Sequence, residues 1–222
     1  MKYENVENSV TLTFDDGKAN VVGPSFLDDI NAGLDRAQEE GATAVILRGR
    51  EGMFSGGFDL KEFEKGAEDG LKMVQRGFEL LVRLYSFPLP PVAASTGHGI
   101  AMGAFIIMAC DWRIGSRGDF KMSLPETRIG MDLPPILVAL TTARITPKHL
   151  NRVTLLSEVY SPEQAVDAGF IDELVEVGDL ESRSREVAEQ LAQLPARQFA
   201  KNKVALRADT LEIMKTSLAS FG

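Results

Sequence analysis

One carboxylate and two glycine-rich turns have the residue types to act together on a carbonyl compound. Glu126 lies in the run SLPETRIGM, with Met122, Leu124, Pro125 and Ile129 as apolar neighbours. Such surroundings disfavour the charged form and raise the pKa, which helps one group both take and return a proton. Upstream, GHGIAMG (residues 97–103) joins a strand-like apolar run at 91–94 to a helix-like apolar run at 101–109. The first N–H groups of a helix have no partner inside it, and with the positive end of the helix dipole they suit a developing oxyanion. MFSGGFDL (residues 53–60) repeats the pattern after a strand-like run at 44–48, with Asp59 placed to cap the next helix. Two such junctions could each give one N–H to the same oxygen, and a base beside them would serve proton abstraction next to a carbonyl. Taken singly, each feature has a plainer explanation: a glycine turn is commonly a tight connection, and a lone glutamate commonly caps an N–H.

The remaining chain has to hold these groups in place. Val6 and residues 10–14 predict a hairpin turning at Glu7-Asn8, and Asp15-Asp16-Gly17 a further turn. Pro24 opens a helix over residues 24–40, with Phe26, Ile30, Leu34 and Ala37 on one face. A long amphipathic helix follows at 71–85; the charged stretch between, residues 61–70, reads as a mobile entrance to the site. Short strands are expected at 112–115 and 120–122. Helices are expected from Pro134-Pro135 to Arg144, after Thr146-Pro147 and after Ser161-Pro162, then an extended segment at 170–177. From Asp179 the chain reads as helical, broken at Pro195. Periodicity supports an α/β protein and goes no further.

Composition narrows the function classes. The 222 residues suffice for one large core, and 44% hydrophobic with 25% charged residues is the make-up of an ordinary globular enzyme domain. A net charge of −8 opposes unspecific nucleic-acid binding, so no nucleic-acid partner is expected. No apolar run reaches the ~18 residues of a membrane span, so no membrane partner is expected. The one cysteine, Cys110, cannot form an internal disulfide, and the start MKYENVENSV has no signal-peptide character; both predict a reducing, cytoplasmic setting. Asp111 and Asp119 lack metal-ligand spacing, and Ser55 and Ser123 lack an adjacent base, so neither a metal nor serine catalysis is expected.

FSGGFDLKEF resembles the first oxyanion-hole motif of the crotonase superfamily (enoyl-CoA hydratases and isomerases), GHGIAMGAFIIMACDWRIG its second, and SLPETRIGM the segment that carries a catalytic glutamate. The similarity is collinear from about Asp16 to Asp172. It implies a ββα spiral core over residues 1–178 and a short C-terminal helical region over 179–222, the last helix reduced or absent. It implies an acyl-CoA thioester as substrate, coenzyme A being part of that substrate rather than a cofactor, and a homotrimer or hexamer. By alignment with the family, the oxyanion donors fall on the backbone N–H groups of Gly56 and Met102, and the acid/base on Glu126. Lys18, Ala19, Asn20, Gly57, Asp59 and Lys61 fall at the coenzyme A pocket, with Lys201-Asn202-Lys203 and Arg207 as a second candidate phosphate site. Phe105, His98 and Asp132 fall at the acyl pocket, although a turn histidine such as His98 commonly makes a structural hydrogen bond. His149 is expected to be solvated on a surface helix.

The departure from the family is at Phe105, where its hydratases carry a second glutamate that helps to grip water. Single-glutamate Δ3,Δ2-enoyl-CoA isomerases often have an apolar residue there. The resemblance therefore favours an isomerase. Two alternatives remain: a hydratase in which His98, Asp132 or bound water replaces the missing carboxylate, and a non-catalytic acyl-CoA-binding subunit.

Overall fold

The computed structural model describes residues 1–221. The chain opens with strands β1 (Lys2–Val6) and β2 (Ser9–Thr13), paired antiparallel in register Val6 to Ser9. Glu7 and Asn8 between them have φ of 51° and 66°, the two positive values that a two-residue hairpin turn requires. Helix α1 (Pro24–Glu39) leads to β3 (Ala44–Arg48). Three strand pairs then repeat one plan. Strands β3, β5 (Pro91–Ser95) and β7 (Trp112–Ser116) join the large sheet. Their sequence successors β4 (Gly52–Ser55), β6 (Gly97–Ile100) and β8 (Met122–Ser123) form a second, three-stranded parallel sheet. With β9 (Glu173–Val175) the large sheet has the order β1-β2-β3-β5-β7-β9, parallel from β2 onward. This is the expected spiral of strand, strand and helix.

The middle strands of the large sheet are covered on both faces, so their sequences are almost continuously apolar. Alternation divides them. Ala44, Ile46, Val92, Ala94 and Ile114 pack with Leu180, Val187 and Ala188 of α8 (Leu180–Ala192). Val45, Leu47 and Ala93 face the main core. Within that core α4 (Met102–Ala109) is apolar on every side, and all eight of its residues are buried. Arg144, at the end of α5 (Pro135–Arg144), caps the segment by donating Nε to the Met108 carbonyl and Nη2 to the Cys110 carbonyl, both at 2.8 Å. Helices α6 (Pro147–Thr154) and α7 (Pro162–Ala168) complete the middle of the chain.

Residues 61–70, expected as an entrance to the site, are helical: α2 (Leu60–Lys65) and α3 (Ala67–Ser86) occupy them. Asp59 caps α2, and Gly66 at φ 153° separates the two helices. The end of the chain is helical as expected: after α9 (Ala196–Leu206), α10 (Ala208–Ala219) packs back against α5 and α3, with Leu211 and Met214 buried. Finally, Lys203 and Arg207 are not an exposed phosphate site. Lys203 Nζ lies 2.6 Å from Asp111 Oδ2 and donates to the Phe87 carbonyl, while Arg207 Nη2 stands 2.8 Å from Asp111 Oδ1. Burial pushes the Lys203 ammonium down to about 8 against the opposing pull of Asp111. Among the described residues, no helix is long and apolar enough to cross a membrane.

Asp111 follows α4 and ties it to both cations, so its loss strands two buried positive charges. Asp111→Ala is expected to destabilise the fold by about 3–5 kcal/mol, read as a lower urea midpoint with little change in the dependence on urea.

Candidate active site

The two glycine-rich junctions meet. Strand β4 pairs with β6 through Gly52–Gly97 and Met53–His98, and a Cβ at Gly97 would overlap the Gly52 backbone, 2.0 Å from its carbonyl carbon. GHGI is therefore a strand whose glycines allow close backbone contact, rather than a bare turn. Beyond the strands the approach continues. A Cβ at Gly103, in the first turn of α4, would stand 2.3 Å from the Ser55 carbonyl oxygen. One at Gly57 would stand 3.0 Å from Ala101 Cβ and 3.5 Å from the Met102 nitrogen.

This contact defines which amides are free. Met102 opens α4, and its N–H has no acceptor among the described residues. Gly56 cannot be the second donor as expected, because its N–H is donated to the Ala19 carbonyl at 2.8 Å. The Gly57 N–H points to Ser55 Oγ at 3.3 Å. The unengaged amide of this junction is that of Phe58, whose flanks are fixed: Val22 N–H donates to the Gly57 carbonyl, and Asp59 N–H to the Val22 carbonyl. Sequence inspection missed Phe58 because all three amides follow the same glycine-rich run. Only the pairing with residues 19–22 shows which are used.

Ala101, just before Met102, has φ 50° and ψ −124°, a conformation that side chains rarely adopt and that costs on the order of 1–3 kcal/mol. The Ala101 N–H donates to the Ser123 carbonyl at 3.0 Å, so the turn before Met102 is fixed to β8. Three residues beyond Ser123 comes Glu126. It is 6% exposed, and its Oε2 is buried without a hydrogen-bond partner. Burial pushes its carboxyl up to about 7. Its backbone carbonyl accepts the N–H of Met131 at 2.8 Å, which holds the turn that carries it. The only other buried glutamate among the described residues, Glu62, has Lys65 Nζ at 2.6 Å.

The other expected site residues divide. Phe105 is buried in α4, one turn after Ala101, whose carbonyl accepts its N–H. His98 is not aimed at α4. Gly99 of the same strand faces Ile107, so His98 faces the other way; its Nδ1 accepts the Lys121 N–H at 3.0 Å and its ring meets Phe120 edge-on. Asp132 is exposed in the loop after Glu126. Lys18, Ala19 and Asn20 do lie beside residues 56–59, as the bond from Gly56 to Ala19 shows. The Asn20 side chain, however, is spent within the protein: buried, at φ 48°, it donates to the Phe14, Met53 and Phe54 carbonyls and accepts from the Asp16 N–H. Lys18 and Lys61 are exposed, and Asp59 accepts the Lys61 N–H at 3.0 Å as a helix cap. His149, contrary to expectation, is buried between Tyr160 and Asp167, at 3.0 and 2.9 Å.

A buried carboxylate without a cation and two unengaged amides at meeting junctions are groups that can serve enolate chemistry, and the comparisons with known proteins give the family. The family model for enoyl-CoA hydratase/isomerase matches residues 4–219, and the chain belongs to this family and to the crotonase superfamily. It is 31% identical over 211 residues to a probable enoyl-CoA hydratase of Bacillus subtilis, covering 91% of this chain and 77% of that one. Among solved structures, an enoyl-CoA hydratase/isomerase family protein of Pseudomonas syringae superposes with a TM-score of 0.95 at 34% identity, over 98% of this chain and 94% of that one. An enoyl-CoA isomerase of Mycobacterium tuberculosis superposes with a TM-score of 0.94 at 34% identity, over 99% and 96%.

Glu126 has a consequence for stability. Its pKa is higher folded than unfolded, so between the unfolded value near 4.5 and about 7 the folded state binds more protons, and stability falls as pH rises through that window. Glu126→Gln removes the ionisation. At pH 8 the variant is expected to be more stable than the wild type by about 2–4 kcal/mol, an advantage that shrinks to nothing below pH ~4. Urea titrations at the two pH values check this.

Proposed function

We propose that the protein shifts the double bond of a 3-enoyl-CoA thioester to the 2-position, with Glu126 as the single acid/base. The observation that carries this is the buried, cation-free Glu126 carboxylate near neutral pKa, with apolar Phe105 one turn into the helix that offers the Met102 N–H. The thioester oxygen accepts hydrogen bonds from the Phe58 and Met102 N–H groups. Glu126 removes a proton from C2, and the two amides stabilise the dienolate oxygen; one such donor is typically worth ~3–4 kcal/mol in the transition state. The protonated Glu126 then delivers the proton to C4, leaving the double bond between C2 and C3. A pKa of about 7 suits both halves of the cycle. Coenzyme A enters past residues 18–20 and 56–59, and the reaction needs no further cofactor.

Hydration is the second reading, and the probable hydratase from Bacillus subtilis favours it. It needs a water held against C3 while C2 is protonated. His98 and Asp132 do not supply the missing acceptor: one is turned away from α4 and hydrogen-bonded, the other is exposed. A merely binding subunit would have no use for a buried carboxylate that costs stability.

Both reactions are to be followed on one purified sample with 3-enoyl- and 2-enoyl-CoA thioesters. Isomerisation is expected to outrun formation of the 3-hydroxyacyl product, and Glu126→Gln to lower turnover by at least ~10²–10⁴-fold while acyl-CoA binding persists. Rapid hydration without isomerisation would instead support the second reading. The assembly we propose is a trimer or hexamer, formed through apolar residues left exposed such as Leu155, Leu156, Leu206 and Ile213. Light scattering at micromolar concentration should give three or six times the chain mass; a monomer there overturns it.

A further inference from the structure

Gly77 lies in the middle of the 20-residue helix α3, where glycine costs about 1 kcal/mol relative to alanine. Its backbone does not need glycine, since its φ is not among the positive values. What it provides is space. A Cβ there would stand 2.5 and 2.6 Å from Cε1 and Cζ of the Phe58 ring and 3.2 Å from Cε of Met102. The notch at Gly77 is thus where the side chains of Phe58 and Met102 come together, and each of these residues carries an unengaged amide, one at each junction. The Phe58 ring packs further on Phe78, with centroids 6.5 Å apart, and Phe78 is met edge-on by Phe221 at 5.0 Å. Seven residues earlier, on the same face of α3, Gly70 makes a similar notch: a Cβ there would stand 2.6 Å from the Phe63 ring of α2.

We infer that Gly77 is a positioning residue for the oxyanion hole: by seating the Phe58 ring and the Met102 methyl in one notch, α3 sets the separation of the two amides. The inference rests on the oxyanion role proposed above for those amides. A methyl group at 77 displaces the ring, and through it the Phe58 N–H from the Met102 N–H. The atoms nearest the added methyl are those of the Phe58 ring and Met102, not those of residues 18–20 at the proposed coenzyme A entrance. The loss therefore falls on kcat more than on KM, since misplacement by about 1 Å costs on the order of 10²-fold.

The experiment is a double-mutant cycle of Gly77→Ala and Phe58→Ala, the latter keeping the backbone N–H while removing the ring. Gly77→Ala alone is expected to lower kcat for 3-enoyl-CoA by ~10²-fold with KM nearly unchanged. Added to Phe58→Ala, it is expected to cost little. Unchanged kcat in Gly77→Ala, or the same loss in both backgrounds, overturns the inference. If Gly77→Ala does not fold, the inference requires the double variant to fold and to match Phe58→Ala; a double variant that also fails to fold overturns it. The Met102 amide resonance of labelled protein reads the geometry without turnover. It should move in Gly77→Ala and hold still between Phe58→Ala and the double variant; any other pattern overturns the inference. Wild-type protein that turns over no enoyl thioester would sink the proposed function, and the Met102 resonance would then decide on Gly77 alone.

Discussion

The close backbone contact between the end of β4 and the start of α4 is the constraint on which the rest depends. Gly103 lies against the Ser55 carbonyl and Gly57 against Ala101, at separations that leave no room for a side chain. Two chain segments brought this near would ordinarily exchange backbone hydrogen bonds. Here the Phe58 and Met102 N–H groups make none among the described residues, while the Gly56, Gly57 and Asp59 amides around Phe58 are used. The unusual backbone of Ala101 belongs to the same arrangement, because it turns the chain from β6 into α4 at the one place where the Met102 amide stands beside Gly57.

Much of the fold serves to hold α4 still. Its C-terminal carbonyls are taken by Arg144, and Asp111 immediately beyond is gripped by Lys203 and Arg207 from the far end of the chain. The helix itself offers no polar side chain for anchoring, so these charged groups act on its backbone and its exit. Glu126 is placed by the same strands: β8 pairs with β6, and Ser123 accepts the Ala101 N–H. Glu126 and the Met102 amide thus share a short hydrogen-bonded path.

Glu126 and Asp111 show opposite treatments of a buried carboxylate. Asp111 is ion-paired with two cations, at 2.6 and 2.8 Å; Glu126 has none, and its Oε2 is buried without a partner. Desolvation without compensation is what lifts the Glu126 pKa towards neutrality. A structural carboxylate would gain from a partner, whereas a group that must take and return protons would be fixed in one state by it.

The sequence by itself determined the order of elements, the apolar setting of Glu126 and the existence of two strand-to-helix junctions. Each of these is local. Glu7-Asn8 takes the left-handed backbone of a tight hairpin, proline opens α1, α5, α6 and α7, and Glu126 sits among apolar neighbours in its own segment. What only the tertiary structure decided depends on pairing between distant residues. Gly56 and Phe58 are two positions apart in one glycine-rich run, and nothing local tells them apart; the Ala19 carbonyl takes one amide and leaves the other. Asn20 and Lys203 read as residues facing coenzyme A and His149 as solvated, yet each is buried, because its partners come from segments far away in the chain. Gly77 gave no sign at all, since a glycine in a helix shows its purpose only when the ring that fills the missing side chain's place is seen.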